Sequence, residues 1–319
     1  MKRPALTLII LLMSALATSA QRDLKKATQQ AIDAFFGSGA QAPAARLLAT
    51  LSDRRITESS GLVASRRNPG VLWTHNDSGD GPYLFAIDRK GRTLARFRVT
   101  GATSVDWEDI AIGPGSDGAP ALYIGDIGDN GRSRSDLAIY RVREPAVSQG
   151  RTLAEAQTTS AERFPFRYPD RAHDAETLLV HPQTGEIFIV TKSSDGRSQV
   201  FAYPLPLQAD RQVTLQAVTT LTFTSMLGSG RLAEAERMTT GGDIASDGRH
   251  VVIRTYAHAY EWRITPGQSL ADALKSTPTR IFLPLTRQGE AICYRADNRA
   301  LLTTSEGAPA PLHEIPLSR

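Results

Sequence analysis

The string Glu108-Asp-Ile-Ala-Ile112 decides the fold of this chain, because altered copies of it recur along the sequence. The copies are Glu58-Ser-Ser-Gly-Leu-Val63, Glu176-Thr-Leu-Leu-Val180, Gly242-Asp-Ile-Ala-Ser246 and Glu290-Ala-Ile-Cys-Tyr294. A carboxylate opens each short apolar run, and a polar turn with a second strand-like run follows. Successive acids lie 50, 68, 67 and 47 residues apart. Repeats of roughly 40–50 residues built from short strands predict an all-β fold, a β-propeller with one four-stranded blade per repeat.

The fifth blade lacks a strand in chain order, because the sequence ends after the runs 291–294, 301–304 and 312–315. A strand within residues 46–55 has no blade of its own. We expect this N-terminal strand to complete the last blade, since ring closure removes exposed sheet edges. Five blades result. Six blades remain an alternative, with the additional blade in the long stretches 145–170 or 205–235.

The N-terminal 45 residues differ from the rest. Residues 1–20 have a basic start at Lys2 and Arg3, an apolar run and small residues, which indicates a secretory signal and a periplasmic or secreted protein. The alternative is a retained N-terminal anchor. The apolar run is shorter than the ~20 residues of a stable span, so no membrane span is expected after signal removal. Residues 21–45 predict a short amphipathic helix and a linker, which pack on the propeller or bind a partner. Residues 46–319 form a single domain in this interpretation.

Composition narrows the classes of protein that fit. The chain has 319 residues, 41% of them hydrophobic and 22% charged, which is ordinary for a globular protein. The net charge is only +4 and no block of Lys or Arg stands out, so we expect no nucleic-acid partner. Cys293 is the only cysteine, which excludes an intramolecular disulfide, and its apolar surroundings indicate a buried structural thiol. We expect a monomer.

Propeller geometry predicts that polar residues from all blades meet on one face. The inner strand of each blade lines the central channel, and the loop before it opens on the same face as the loop after the second strand. The side chains expected there from the starts of the inner strands are Glu58, Asp106, Glu108, Asp174, Glu176, Asp243 and Glu290. Those expected from the ends of the second strands are His75, Asn76, Asp77, Asp80, Asp126, Asp129, Asn130, Lys192, Arg254, His258 and Glu306.

So many carboxylates repel one another unless protons, cationic side chains or a metal ion neutralise them. Oxygen donors suit a hard cation, and calcium is the natural one for an exported protein. Asp77-Ser-Gly-Asp80 and Asp126-Ile-Gly-Asp129-Asn130 look like short metal-binding loops, although neither matches the EF-hand pattern. The alternative is that these residues cap turns and bind loop backbone.

Catalytic candidates follow from the same face. His75 and His173 can act as general acid or base, or can simply hydrogen-bond their loops. Lys192 and Arg254 end apolar strands, so they either neutralise the acids or bind an anionic substrate. The sequence has no Gly-x-Ser-x-Gly elbow, His-Glu-x-x-His motif or Walker loop, which argues against serine hydrolases, zinc proteases and nucleotide-binding P-loop proteins.

Several strings resemble a family of exported bacterial β-propeller proteins, mostly without a defined function, over about residues 50–310. They include Leu72-Trp-Thr-His-Asn-Asp-Ser-Gly-Asp80, Asp106-Trp-Glu-Asp-Ile-Ala111 and Tyr123-Ile-Gly-Asp-Ile-Gly-Asp-Asn130. The chain is similar, more distantly, to phytase-like proteins with esterase-like activity and to calcium-dependent propeller lactonases. These enzymes hold a channel metal with Glu, Asn and Asp from several blades. The resemblance implies the corresponding ligands Glu58, Asp126, Asn130, Glu176 and Glu290.

Two functions fit these features. In the first, the protein is a calcium-assisted hydrolase of a small-molecule phosphate ester or lactone, with Glu108 or Glu176 as base and with Lys192 and Arg254 binding the anionic group. In the second, it is a non-catalytic scaffold that presents the same face to a cell-envelope polymer or a protein partner.

Overall fold

A computed structural model describes residues 45–148, 154–226, 228–284 and 286–318. The predicted signal at 1–20 and the predicted helix within 21–45 lie outside the described residues. Within the described part there are 22 strands and two short helices. No helix among these residues is long and apolar enough to cross a membrane.

The strands are short and follow the runs expected from the sequence. In chain order they are β1 (Arg46–Thr50), β2 (Ser59–Ala64), β3 (Val71–Asn76), β4 (Tyr83–Asp88), β5 (Thr93–Thr100), β6 (Trp107–Pro114), β7 (Pro120–Asp126), β8 (Ala138–Arg143), β9 (Ala154–Ser160), β10 (Glu162–Arg167), β11 (Ala175–Val180), β12 (Ile187–Thr191), β13 (Arg197–Ala202), β14 (Val213–Thr214), β15 (Gln216–Thr222), β16 (Thr239–Ile244), β17 (His250–Thr255), β18 (His258–Arg263), β19 (Thr279–Phe282), β20 (Gly289–Tyr294), β21 (Ala300–Ser305) and β22 (Pro311–Pro316). The helices are α1 (Arg231–Arg237) and α2 (Leu270–Ala273).

These strands form five sheets, one per blade, and the predicted five-bladed propeller is confirmed. From the channel outward the sheets are β2-β3-β4-β5-β9, β6-β7-β8-β10-β14, β11-β12-β13-β15, β16-β17-β18-β19 and β20-β21-β22-β1. The inner strands pack side by side around the channel. The N-terminal strand β1 pairs antiparallel with β22, so the predicted ring closure is also confirmed.

The six-blade alternative is wrong, because the two long stretches supply outer strands and not a blade. The stretch 145–170 contributes β9, which pairs in parallel with β5 as a fifth strand of the first blade. The stretch 205–235 contributes β14, which pairs in parallel with β10 on the second blade. Each added strand comes from chain that follows another blade, so it covers an open edge and links neighbouring blades.

Apolar side chains fill the space between blades, which explains why many strands are buried along nearly their whole length. Trp73, Trp107 and Trp262 are all buried in these layers. Cys293 is also fully buried, and burial raises the pKa of its thiol well above the usual value. A neutral thiol in an apolar layer is structural and not a nucleophile.

Candidate metal centre

A shared irregularity in all five blades positions the channel-mouth side chains. In every blade the first residue of the inner strand lies opposite the last residue of the second strand, and a bulge follows at once. Bulges re-aim side chains and are common beside functional sites. The second residues of the inner strands, which fall in these bulges, are Ser60, Glu108, Glu176, Thr240 and Glu290.

The two non-acidic members of this set hold the ring of inner strands together. The Ser60 hydroxyl donates to the carbonyl of Glu108 on the neighbouring inner strand at 2.6 Å. The Thr240 hydroxyl donates to the carbonyls of Gly289 and Glu290 at 3.0 and 3.1 Å. The same position carries glutamate in the other three blades, so the fold places three carboxylates around one channel mouth.

Five carboxylates meet at this mouth, in two groups that share Glu108. One group is Asp77, Asp106 and Glu108, and the other is Glu108, Asp174 and Glu176. Within each group the candidate ligand oxygens lie within 4.8 Å of one another. Carboxylate oxygens at this spacing are suitable ligands for a hard divalent cation. We call these five residues the acidic centre.

Mutual repulsion and burial disturb the protonation of the acidic centre. Burial raises the pKa of Asp77 to about 7, and the neighbouring Asp106 adds to the effect. Burial also raises the pKa of Glu176 to about 8, although the adjacent Lys192 opposes the change. The pKa of Glu108 is raised well above its usual value by burial and by Glu176. A bound divalent cation would relieve this repulsion, because opposite charge favours the ionised carboxylates.

Two further observations favour a metal ion at the acidic centre. Glu108 is only 3% exposed, yet its carboxylate has no hydrogen bond or ion pair among the described residues. A Cβ atom on Gly128 would lie 2.1 Å from Glu108 Oε1 and 2.5 Å from Asp106 Oδ2. Only glycine therefore leaves room for these two carboxylates to remain where they are. The donor set fits calcium, which binds oxygen ligands from carboxylates in flexible geometry.

The predicted loop ligands Asp126, Asp129 and Asn130 lie beside the acidic centre and not within it. Asp126 forms an ion pair with Arg134 at 2.8 Å and accepts the Asp106 backbone N–H at 3.0 Å. Both oxygens of Asp129 accept backbone N–H groups of its own loop at 2.9 Å. Asn130 is exposed. These contacts are those of a turn-capping loop, the alternative that the sequence left open.

Glu58 and Glu290, the remaining predicted ligands, flank the acidic centre, since the Asp77 backbone N–H donates to the Glu58 carbonyl at 3.0 Å. Glu58 forms an isolated β-bridge with Glu306, and its charge contributes to the raised pKa of Glu306. Glu290 is 3% exposed, and its Oε2 atom has no hydrogen-bond partner among the described residues. The pKa of Glu290 is raised well above its usual value by burial and by Glu176.

The two predicted cations have different positions. Lys192 forms an ion pair with Glu176, and its ammonium lies 5.4 Å from the ring centre of Tyr256. Arg254 is 1% exposed between the fourth and fifth blades, where it donates to carbonyl and hydroxyl oxygens of the wall. Burial lowers the pKa of Arg254 to about 10, with Glu290 opposing the shift, so it stays charged near neutral pH. Lys192 can reach both the acids and a ligand, whereas Arg254 is enclosed.

The two predicted histidines also differ. His75 is fully buried against Trp107, its Nδ1 hydrogen-bonds the Asn76 carbonyl at 2.8 Å, and burial lowers its pKa to about 4. It is therefore neutral near pH 7. His173 lies in the loop before β11, with Nε2 2.9 Å from Asp170 Oδ1 and its ring against Tyr168.

One interpretation of the sequence is wrong. Asp243 was expected at the acidic face by analogy with the other leading acids, but it is the fifth residue of β16 and lies at the opposite end of the channel. It accepts backbone N–H groups of Ile244 and Tyr294 at 2.8 Å and lines a cavity with Arg66. Thr240 occupies the position equivalent to the other acids. The string Gly242-Asp-Ile-Ala245 has the composition of the repeat. Its acid, however, lies three residues farther along the inner strand than Glu108, Glu176 and Glu290 do on theirs.

Sequence reasoning placed Asp106 and Asp174 on this face but did not assign them as ligands. Each precedes a ligand-bearing glutamate by two residues, giving the strings Asp106-Trp-Glu108 and Asp174-Ala-Glu176. This Asp-x-Glu pattern, which occurs in two adjacent blades, is the sequence feature that could have identified Asp106 and Asp174 as ligands. Two carboxylates two residues apart at the start of an inner strand can reach one ion, because the bulge turns the second one inward.

A cavity of about 480 Å³ adjoins the acidic centre and has the opposite charge. Asp174 of the acidic centre and Lys192 form part of its wall. Arg132, Arg171 and Arg197 also line it, and no ion pair of these three arginines is present in the described part of the chain. We call it the inner cavity. It places four cationic side chains beside a candidate metal site, together with the Asp195 carboxylate, which interacts with Arg197.

Comparisons with known proteins leave the family open. No protein-family model matches the chain. The search of curated proteins also finds no match.

Proposed function

We propose that this protein is a calcium-dependent hydrolase of anionic esters, and that phosphate esters fit its site better than neutral lactones. The observation that carries the proposal is the juxtaposition of the acidic centre with the inner cavity and its cations. Calcium at the acidic centre would polarise the ester oxygen and lower the barrier to attack by water. A neutral lactone has no anionic group that the cationic side chains of the inner cavity could bind.

The side chains around the site divide the work. Asp77, Asp106, Glu108, Asp174 and Glu176 would hold the ion. Lys192 and the arginines of the inner cavity would orient the anionic group and stabilise negative charge that develops in the transition state. Glu108 is the proposed base, because its carboxylate has no hydrogen bond among the described residues whereas Glu176 is held by Lys192.

The proposal extends to where the protein acts. The N-terminal 20 residues have the composition of a secretory signal, and calcium sites of extracellular modules work with weak affinities of roughly 10⁻⁴–10⁻³ M. An exported enzyme can therefore use a site of modest affinity. Fractionation of the native host, followed by N-terminal sequencing of the mature chain, tests this part: a chain found uncleaved in the cytoplasm would contradict it.

The decisive experiment measures turnover of aryl phosphates, phosphodiesters and lactones by the purified protein, with EDTA and then with added calcium. We expect calcium-dependent hydrolysis of a phosphate ester, and a loss of at least about 10²–10⁴-fold in kcat for Glu108→Gln, because this variant removes the proposed general base and also a ligand of the ion. Glu234→Gln on the exposed surface of α1 is the matched control. Calcium binding without turnover on any ester would overturn the hydrolase and favour the scaffold, in which the metal only holds the loops.

A further inference from the structure

A second cavity adjoins the inner cavity. It has a volume of about 320 Å³ and lies between the second and third blades. Arg171 lines both cavities, so the two share a wall. Tyr168 of the second cavity and His173 of the inner one stack edge to face with ring centres 4.8 Å apart. We call this space the outer cavity.

The outer cavity differs from the inner one in chemistry. Its wall includes the apolar side chains of Leu137 and Phe166 together with the ring of Tyr168. The inner cavity is lined almost entirely by charged and hydroxyl-bearing side chains. The outer cavity therefore adds an apolar wall to a set of cations, because Arg134, Arg167 and Arg171 line it as well.

The hydroxyl of Tyr168 lacks a partner. It is buried and makes no hydrogen bond among the described residues. A buried hydroxyl without a partner is destabilising, and functional sites are where such groups persist. Because Tyr168 lines the outer cavity, a polar atom of a bound ligand can satisfy it.

The backbone beside the inner cavity adds a second sign of specialisation. Arg132 has a φ of +50°, in the left-handed region that non-glycine residues rarely adopt. Its backbone N–H donates to the Asp129 carbonyl at 2.8 Å, which fixes the turn. Strained residues of this kind cluster at ligand-binding sites. Here the strain positions a cationic side chain in the cavity wall.

We propose that the two cavities together bind an organic phosphate, with its anionic group among the arginines of the inner cavity and an aromatic or alicyclic group in the outer cavity. This inference rests on the proposed function, since it defines the substrate of the same site. It narrows the substrate from phosphate esters in general to those with a ring-sized apolar group and a polar atom that reaches Tyr168. Inorganic phosphate and small alkyl phosphates would occupy the inner cavity alone.

The test uses 4-nitrophenyl phosphate, phenyl phosphate and inorganic phosphate as probes, titrated into the full chain by calorimetry. Each titration is done in EDTA and in calcium, so that anion binding is measured independently of the metal. With calcium, the corresponding arylphosphonates replace the esters, because their carbon–phosphorus bond is not hydrolysed. We expect the aryl phosphates to bind at least tenfold more tightly than inorganic phosphate in either condition.

Three variants separate the parts of the proposal. Arg171→Ala is expected to weaken all three probes about tenfold, the effect of one charge-assisted hydrogen bond. Ser135→Trp, at an exposed position on the rim of the outer cavity, is expected to weaken only the aryl phosphates. Tyr168→Phe is expected to reduce the advantage of 4-nitrophenyl phosphate over phenyl phosphate. Arg249→Ala, an exposed arginine in the turn between β16 and β17, is the matched control.

The outcomes distinguish this inference from the proposed function. Tight aryl phosphate binding in EDTA without any calcium effect would support the cavities and contradict the metal site. Calcium-dependent turnover of small alkyl phosphates with equal affinity for all three probes would support the hydrolase and overturn the outer cavity. Equal binding by Arg171→Ala and Arg249→Ala would overturn the inner cavity as the anion site.

Discussion

Two sets of buried glutamates in this propeller differ in what surrounds them. Glu144 and Glu314 are 1% and 0% exposed, while Glu108 is 3% exposed. Glu144 accepts hydrogen bonds from the Ser65 hydroxyl, the Trp73 indole and two backbone N–H groups. Glu314 is bound by three arginines from different strands and turns, which are Arg46, Arg89 and Arg295. Glu108 has no such donors.

The difference separates acids that the fold neutralises from an acid that it leaves without donors among the described residues. A buried carboxylate is costly unless donors or cations surround it, and the fold provides both for Glu144 and Glu314. Although burial acts in the opposite direction, the arginines keep the pKa of Glu314 below its usual value, whereas the pKa of Glu108 is raised. Glu314 and Glu108 are both almost without exposed surface but differ in their donors, so a bound cation at the acidic centre would act as the three arginines do at Glu314. Burial alone does not identify such a site; the missing donors do.

The largest effect is expected for a structural acid. Glu144→Ala leaves the Ser65 hydroxyl, the Trp73 indole N–H and two backbone N–H groups without their acceptor. We expect a loss of about 3–5 kcal/mol in the free energy of unfolding, as for breaking a buried charged network. Urea denaturation measures it, and Glu234→Ala on exposed α1 should change stability by less than about 0.5 kcal/mol. A loss under about 1 kcal/mol would show that Glu144 is not an anchor.

Calcium should stabilise the wild-type protein by a smaller amount. At a concentration 100 times the dissociation constant, a ligand that binds only the folded state adds about 2.7 kcal/mol. Thermal melting with EDTA and with calcium measures this gain. It should vanish in Glu108→Gln, which removes the carboxylate shared by both groups, and persist in Glu144→Gln if that variant folds. A calcium effect that survives Glu108→Gln would place the metal elsewhere.

The pH dependence of stability should differ with and without calcium. Asp77 and Glu176 have folded pKa values of about 7 and about 8, above those of the unfolded chain. Their stabilising effect is present at low pH and is lost as pH rises through the folded values. In EDTA we expect a loss of about 1–2 kcal/mol between pH 6.5 and 8. The opposite contribution of His75, whose pKa is about 4, ends near pH 6.5.

Calcium should reduce the pH dependence of the free energy of unfolding, because it holds the same carboxylates in their charged form. Asp243 supplies an internal control, since burial raises its pKa to about 7 at the opposite end of the channel. The slope that it contributes should persist in calcium and disappear in Asp243→Asn. Urea unfolding at several pH values, with and without calcium, makes the measurement. If the free energy of unfolding depended on pH in the same way with and without calcium, this would contradict a metal at the acidic centre.

Removing one acid from the unliganded centre should be mildly stabilising. Glu108→Gln in EDTA lowers the repulsion among five carboxylates, and we expect a gain of about 1 kcal/mol, the usual sign at a site that sacrifices stability for function. Urea denaturation in EDTA gives the value. Glu144→Gln, compared under identical conditions, should lose stability. Equal losses in both variants would erase the distinction between the two sets of acids.

The smallest effect is expected at the closing strand. Arg46 is one of three arginines on Glu314, and its side chain is 63% exposed. Because the other two arginines remain, Arg46→Ala should cost less than about 1 kcal/mol, as for an exposed ion pair. Thermal melting in low and high salt tests this, with a smaller difference expected at high salt. A loss as large as that of Glu144→Ala would show that Arg46 alone holds β1.

Much of the fold was readable from the sequence, because each strand pair in a blade is local. The apolar runs, the turns and the unpaired N-terminal strand predicted five blades and their closure. The outer strands β9 and β14 were not predicted. β9 is mostly polar and β14 has only two residues, and both pair in parallel with strands of a blade other than the one they follow, so no local pattern marks them.

The candidate site was predicted less completely. The sequence placed Glu108, Glu176 and Asp77 on one face, and Asp106 and Asp174 with them. It did not separate Asp126 and Asp129, whose carboxylates accept from Arg134 and from backbone N–H groups, from Glu108, which no donor reaches among the described residues. Whether a carboxylate accepts hydrogen bonds depends on neighbours that can be distant in sequence, and the composition of its own loop does not predict those neighbours.

By itself, the sequence determined the repeat and the excess of acids at the starts of inner strands, because strand periodicity and turn residues are local properties, and it left five or six blades open. The tertiary structure alone decided which acids face one another, since the position of each bulge and the approach of neighbouring blades fix the side-chain directions. Asp243 and Glu176 follow similar patterns in sequence. They lie at opposite ends of the channel because a three-residue shift along a strand of six residues moves a side chain by ~10 Å.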